Sequence, residues 1–252
     1  MYWDLLSSKQ IAQVDRKTVV ILPISATEQH GAHLPLATDR LIGEHFCHEL
    51  HKTLDEHVLI LPSVGIGCSE HHLDFQGSLS LQHTHFMQIL TDICQCVLNY
   101  GFRNILVFNS HGGNQAIGQS FVESIGFRNP QARFLLVTWW RLALKQLRKL
   151  HESGPGGVGH AGEFETSLML HINPDLVKMD EISAMSNTST FEWGTGDMLD
   201  APKVSYYRTM KEMTPSGVFG DPSFATQDKG QEISDIVVKA LEKIVMDIKS
   251  HE

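Results

Sequence analysis

Four short apolar runs, each followed by a stretch with helical spacing, constrain this 252-residue chain more than any other feature. The runs are TVVILPI (18 to 24), VLILPSV (58 to 64), NILVFN (104 to 109) and RFLLVTW (133 to 139). Each is short, apolar and rich in β-branched or aromatic residues, as a strand buried on both faces of a parallel sheet must be. Apolar residues then recur three and four apart: Leu41, Ile42, Phe46 and Leu50 predict a helix over 40–54, and a second runs from about Thr84 to Tyr100, ended by Gly101. A third, from about Gln115 to Phe127, stops before Asn129 and Pro130, and a fourth covers Arg141 to His151. A turn then leads into a helix from about Glu163 to His171, and Ile233, Val237, Leu241 and Val245 mark one face of a long amphipathic helix over 229–249. Strands alternating with helices predict an α/β fold: a mostly parallel sheet covered by helices on both faces, reached by right-handed crossovers. The functional crevice of such a sheet lies beyond the carboxyl ends of its strands. Two polar segments, TEQHGAHLPLATD (27 to 39) and SHGGN (110 to 114), fall there.

A chain of this length is read as one domain spanning residues 1 to 252. The formal charge of −9, with both signs mixed along the chain, offers no basic surface for nucleic acid or anionic lipid. No apolar stretch reaches the ~18 residues needed to cross a bilayer, and MYWDLLSSKQ is not a signal peptide, so the expectation is a soluble, cytoplasmic protein. Cys47, Cys68, Cys94 and Cys96 show no paired metal spacing and are expected as reduced core thiols. Residues 183 to 202 are polar and aperiodic and are expected to form a loop or lid.

Histidine is abundant, at 15, so only histidines in a chemically specific setting carry information. The first segment gathers Glu28, His30, His33 and Asp39 directly after a buried strand, where charged side chains need a reason to assemble. Mixed oxygen and imidazole donors without cysteine suit Zn, Mn or Fe; Ca and Mg prefer oxygen alone. The second supplies His111 between small residues that let the backbone turn tightly. A third cluster, GHAGEFETS, supplies His160, Glu163 and Glu165 at a helix start, where the helix dipole also favours acids. Glu163 and Glu165 need not face the same way, so one can ligate a metal while the other supports it. In the loop CSEHHLDFQGS, Ser69 and His71 are candidates for substrate contact. The sequence contains no G-x-S-x-G elbow and no Gly-rich dinucleotide fingerprint after the first strand.

Taken in order, TEQHGAHLPLATD, SHGGN, GHAGEFETS and the later SGVFGDPSFATQDKG resemble the creatininase (creatinine amidohydrolase) family. The resemblance implies a creatininase-like three-layer αβα sandwich, a centre of two divalent ions (Zn first, Mn or Fe as alternatives), hydrolysis of an amide-type C–N bond in a small molecule, and a homo-oligomer, commonly a hexamer. Position by position it implies Glu28 and His111 on one metal, His30 on the other and Asp39 bridging both, with His160 as the catalytic or substrate-binding histidine. Creatininase carries a carboxylate ligand where this chain has Gly113, and Glu163 is the expected replacement, leaving Glu165 with His160 in the catalytic set. The tryptophan that creatininase places before its catalytic histidine is also missing, Gly156 lying about there, and Trp139 and Trp140 are candidates to line the pocket instead. The HGGN and HAGE forms resemble relatives that deformylate formamides or cleave a peptide during maturation. The competing class is a non-catalytic scaffold held by a structural metal, against which stand the missing cysteines and the open ligand set.

Overall fold

The structure, a computed structural model, describes residues 1–182, 191–194, 197–200 and 204–250. Four strands, β1 (Val19–Ile24), β2 (Val58–Ile60), β3 (Asn104–Asn109) and β4 (Arg133–Thr138), form a parallel sheet in the order β2-β1-β3-β4. Alternate residues along the strands enter two separate cores, because successive side chains of a strand point to opposite faces. Val19 and Ile21 of β1 with Leu106 and Phe108 of β3 face one core; Val20, Leu22, Ile105 and Val107 face the other. The first core is closed by α2 (Thr38–Leu54), α7 (Glu163–Ile172) and α9 (Gln227–Ser250) through Phe46, Phe164, Leu168, Val237 and Leu241. The second is closed by α3 (His83–Asn99) and α4 (Gln115–Arg128) through Phe86, Leu90, Phe121 and Ile125. The result is the expected three-layer αβα arrangement.

The remaining helices are short: α1 (Ser8–Gln13), α5 (Trp139–Leu142), α6 (Leu144–Leu147) and α8 (Met210–Met213). Capping boxes start α1, through Ser7 and Gln10, and α8, through Thr209 and Glu212. Gly101, at φ 93°, takes the left-handed conformation that ends α3, and its N–H bonds Leu98.

Three expectations need correction. The second strand stops at Ile60 because Pro62 has no N–H for the ladder; Leu61 and Val64 still donate to β1, but no regular strand continues. The Pro23 carbonyl accepts from Val64 on that same irregular side, where a missing N–H is tolerated. The helix expected over 141–151 is two separate turns, α5 and α6, broken at Ala143. Trp139, Trp140, Ala143 and Leu147 are all buried, so both turns still pack on the core, and Ala143, at φ −119° and ψ 33°, leaves helical geometry between them. Cys47, Cys68 and Cys94 are buried free thiols as expected, but Cys96 is exposed. Most of the loop or lid expected over 183–202 lies outside the described residues. No helix among the described residues is long and apolar enough to cross a membrane.

Candidate metal centre

The strand order reverses between β1 and β3, and the crevice beyond their carboxyl ends is where a doubly wound sheet gathers its functional groups. After β1 the chain folds back on itself: the Glu28 N–H donates to the Leu36 carbonyl at 3.1 Å, and His30 pairs with Leu34 across an antiparallel bridge. Gly31 turns the tip at φ 67°, where a Cβ would also stand 2.5 Å from Val218. Helix α2 then begins at Thr38, so Asp39 lies in its first turn, where the unpaired N–H groups favour a carboxylate. Beyond β3, the Asn109 amide brackets His111, donating to its carbonyl at 2.8 Å and accepting from its N–H at 3.1 Å. Ser110 Oγ donates to the Asp39 carbonyl at 2.7 Å, joining the two segments. Glu165 comes from the start of α7, its Oε2 accepting from the Ala161 N–H at 2.6 Å.

Seven side chains converge. Glu28 Oε1 lies 3.3 Å from His111 Nδ1, 3.4 Å from His72 Nε2 and 3.5 Å from His160 Nδ1. The oxygens of Asp39 face two ways, Oδ2 standing 3.0 Å from His111 Nδ1 and Oδ1 3.3 Å from His30 Nε2. Glu165 Oε2 is 3.7 Å from His30 Nε2. Among the described residues, three donor groups could each hold an ion: Glu28–Asp39–His111, His30–His160–Glu165 and Glu28–His72–His160. Close as these atoms are, Glu28 Oε2, His30 Nε2 and Asp39 Oδ2 are buried without any aligned hydrogen bond. Leaving such a group unsatisfied costs about 1–3 kcal/mol, more when it is charged. A cation among them removes that cost.

The imidazoles are oriented from behind. His30 Nδ1 lies 3.1 Å from the Glu28 carbonyl, His111 Nε2 3.1 Å from the Cys68 carbonyl, and His160 Nε2 2.7 Å from the Gln29 carbonyl. A carbonyl only accepts, so each ring donates its proton there and turns its other nitrogen into the cluster, the usual support of a metal-ligating histidine. Burial alone would raise Glu28, but His111 and His72 hold it well below the usual carboxylate range. Burial alone would depress His111 and His30; Glu28 and Asp39 hold His111 well above its ordinary value, and Asp39, Glu165 and Glu28 raise His30 to about 9. Burial pushes Glu165 up to about 7, against the pull of His30. Burial, with His30 and His72 beside it, holds His160 well below its ordinary value. Without metal, imidazole protons hold these carboxylates together; ligation displaces such protons.

Of the expected site residues, Glu28, His30, Asp39, His111, His160 and Glu165 come together. Glu163 does not. Its carboxylate turns away, accepting from the Glu152 and Ser153 N–H groups at 3.0 Å each and from Ser153 Oγ at 2.5 Å, and pairing with Lys229. Glu165, not Glu163, is the acidic candidate of this segment that faces the cluster. Gly113 could carry no replacement, since a Cβ there would lie 2.0 Å from the Cys68 carbonyl oxygen. Ser69 is fully buried, with Oγ 3.2 Å from His111 Nε2, so it supports that ring from behind and is not placed for the substrate contact expected of it. His71 is partly exposed and stacks on His111 at 6.0 Å, which keeps it a candidate for substrate contact. Trp139 and Trp140 pack in the core. His33 pairs with Thr166 Oγ1 at 3.0 Å and bonds the first segment to α7. Sequence reasoning missed His72 and Gln29; the doubled histidine of SEHH was the available signal for the first, and Gln29 carried none.

The family model described as creatinine amidohydrolase (creatininase) matches residues 4–245. The mycofactocin precursor peptide peptidase of Mycobacterium ulcerans (strain Agy99) is 31% identical over 229 residues, covering 85% of this chain and 79% of that protein. The creatinine amidohydrolase of Pseudomonas putida is 24% identical over 241 residues, covering 88% and 86%. A crystal structure of creatinine amidohydrolase superposes with a TM-score of 0.84 at 21% identity, covering 100% of this chain and 98% of that one.

Proposed function

The chain belongs to the creatininase family of hydrolases, and from that premise we propose that it hydrolyses an amide-type carbon–nitrogen bond using two divalent ions. The observation that carries this reading is the set of three buried atoms without an aligned hydrogen bond, Glu28 Oε2, His30 Nε2 and Asp39 Oδ2, turned toward one cluster. Glu28, Asp39 and His111 would hold one ion and His30 with Glu165 the other, Asp39 being available to both because its two oxygens face the two halves. Mixed imidazole and carboxylate donors without cysteine fit Zn first, then Mn or Fe. Ions of this kind supply Lewis acidity, acidifying a water and polarising a carbonyl.

The chain's own groups do the rest. Side-chain exposure is at most 3% for Glu28, His30, Asp39, His111 and Glu165, but 13% for His160, which is therefore the cluster imidazole open to an incoming substrate. With Nε2–H fixed on the Gln29 carbonyl, Nδ1, 3.5 Å from Glu28 Oε1, is the His160 atom that carries a proton to the departing nitrogen. His71 beside His111 contacts the substrate. A peptide amide is the second reading, favoured by the greater identity to the peptide peptidase (31%) than to creatinine amidohydrolase (24%). A homo-oligomer is part of the same proposal and is read directly by light scattering.

Metal analysis and a hydrolysis panel of lactams, formamides and short peptides, with and without chelator, test the reading. Asp39→Ala is expected to lose both ions and all turnover. Two full equivalents of metal in that variant refute the shared carboxylate, and an inert wild-type protein with tightly held metal favours a scaffold.

A further inference from the structure

Gln29 lies inside the cluster and has no part in the chemistry above, yet its amide faces three groups of the site. Nε2 is 2.9 Å from His72 Nδ1, 3.0 Å from the Gly217 carbonyl and 3.2 Å from His160 Nε2, while Oε1 accepts from the Gly31 N–H at 3.0 Å. The reverse orientation would set oxygen against the Gly217 carbonyl and NH2 against the Gly31 N–H, two contacts without a hydrogen bond. The orientation is therefore fixed by backbone alone. Gly217 itself, at φ 81° and with no room for a Cβ against Oε1 at 2.0 Å, closes over the amide.

A primary amide has two hydrogens and here meets three candidate acceptors. His160 Nε2 is not one of them, because it already donates to the Gln29 carbonyl at 2.7 Å. The two hydrogens go to the Gly217 carbonyl and to His72 Nδ1. A His72 ring that accepts at Nδ1 carries its proton at Nε2, the atom 3.4 Å from Glu28 Oε1. His72 differs in this from His30, His111 and His160, each of which donates to a backbone carbonyl and turns its other nitrogen into the cluster.

Building on the two-metal reading, we propose that Gln29 is a positioning residue of the centre: it holds His72 as the Nε2–H tautomer, a hydrogen-bond donor to Glu28 and not a metal ligand. Of the three donor groups, Glu28–His72–His160 is thereby closed to a cation, and the other two remain. Glu28 has Oε1 fixed by His72 and Oε2, which no protein group satisfies, aimed for ligation.

The test is the nitrogen-15 spectrum of histidine-labelled wild-type protein, metal-free and loaded with Zn2+, with the His72 signals identified by their loss in His72→Gln. Nδ1 unprotonated and Nε2 protonated in both states is the expected result; a proton on Nδ1, or zinc on Nε2, overturns the proposal. Failure to bind Zn2+ sinks the two-metal reading but leaves the metal-free tautomer to decide this one. Gln29→Glu places an acceptor against His72 and is expected to move the proton to Nδ1 and to weaken Zn2+ binding about 10- to 100-fold in competition with a chromophoric chelator. Gln29→Met removes the donor without adding charge and is expected to weaken Zn2+ to a similar extent. Wild-type tautomer and affinity in both variants refute the assignment, and the wild-type spectrum decides should either fail to fold.

Discussion

Lys229→Met separates the two acidic residues at the start of α7 by what each is for. Lys229 is 9% exposed and Glu163 is fully buried; the ammonium also bonds Glu152 Oε2 at 2.7 Å and the Phe224 carbonyl at 2.9 Å. The pair joins the first turn of α9 to the first turn of α7 and to residues 152 and 153. Methionine fills the space of the lysine stem but leaves the Glu163 carboxylate buried without its counter-charge, which costs about 3–5 kcal/mol in comparable cases. Three donors, the Glu152 and Ser153 N–H groups and Ser153 Oγ, remain on that carboxylate, so the low end, about 3 kcal/mol, applies here. At about 2–4 °C per kcal/mol for a chain of this size, melting should fall by about 6–12 °C. Zinc stoichiometry should not change, because neither residue reaches the cluster. Thermal melts of metal-free protein and metal analysis of loaded protein check both halves. A melting point within about 2 °C of wild type refutes the buried pair, as that is less than one such increment. Loss of one zinc equivalent would return Glu163 to the ligand set.

Glu165→Gln is the counterpart, expected to lose one zinc equivalent. In the metal-free protein Glu165 titrates near 7 against 4.5 for an ordinary glutamate, so the folded form holds an extra proton in that window and stability falls as pH rises through it. The loss is about 3 kcal/mol, and the glutamine variant should lack it in urea titrations at pH 5 and pH 8. His30, raised from 6.5 to about 9, adds a further loss of stability as pH rises through that window, and saturating zinc, which replaces its proton, should flatten the profile. Gly113→Glu, which restores the carboxylate position of creatininase, should destabilise by about 1–3 kcal/mol or more, because its Cβ meets the Cys68 backbone; melting measurements and zinc titration of that variant check that no ligand is gained.

What was legible in the sequence is what depends on local pattern. Runs such as NILVFN are strands because every residue between the two terminal asparagines is apolar, and β3 matches its expected bounds. Glu28, His30 and Asp39 were legible for a related reason: one loop and one helix start hold them, so crowding in sequence becomes crowding in space. The errors fall where two adjacent candidates compete for one role. Glu163 and Glu165 are two positions apart at a helix start, about 200° around the axis, so only one can face the crevice, and nothing local says which. Lys229, far along the chain, settles it by holding Glu163 on the far side. His71 and His72 are neighbours in the same loop; His72 is the buried one because Gln29 and Glu28 receive it from another strand end. Ser69 follows the same rule, drawn behind His111 by a contact across 42 positions. A sequence motif can therefore nominate the donors of such a centre, but the choice between neighbouring donors belongs to partners remote in sequence, and at this site those partners are Lys229 and Gln29.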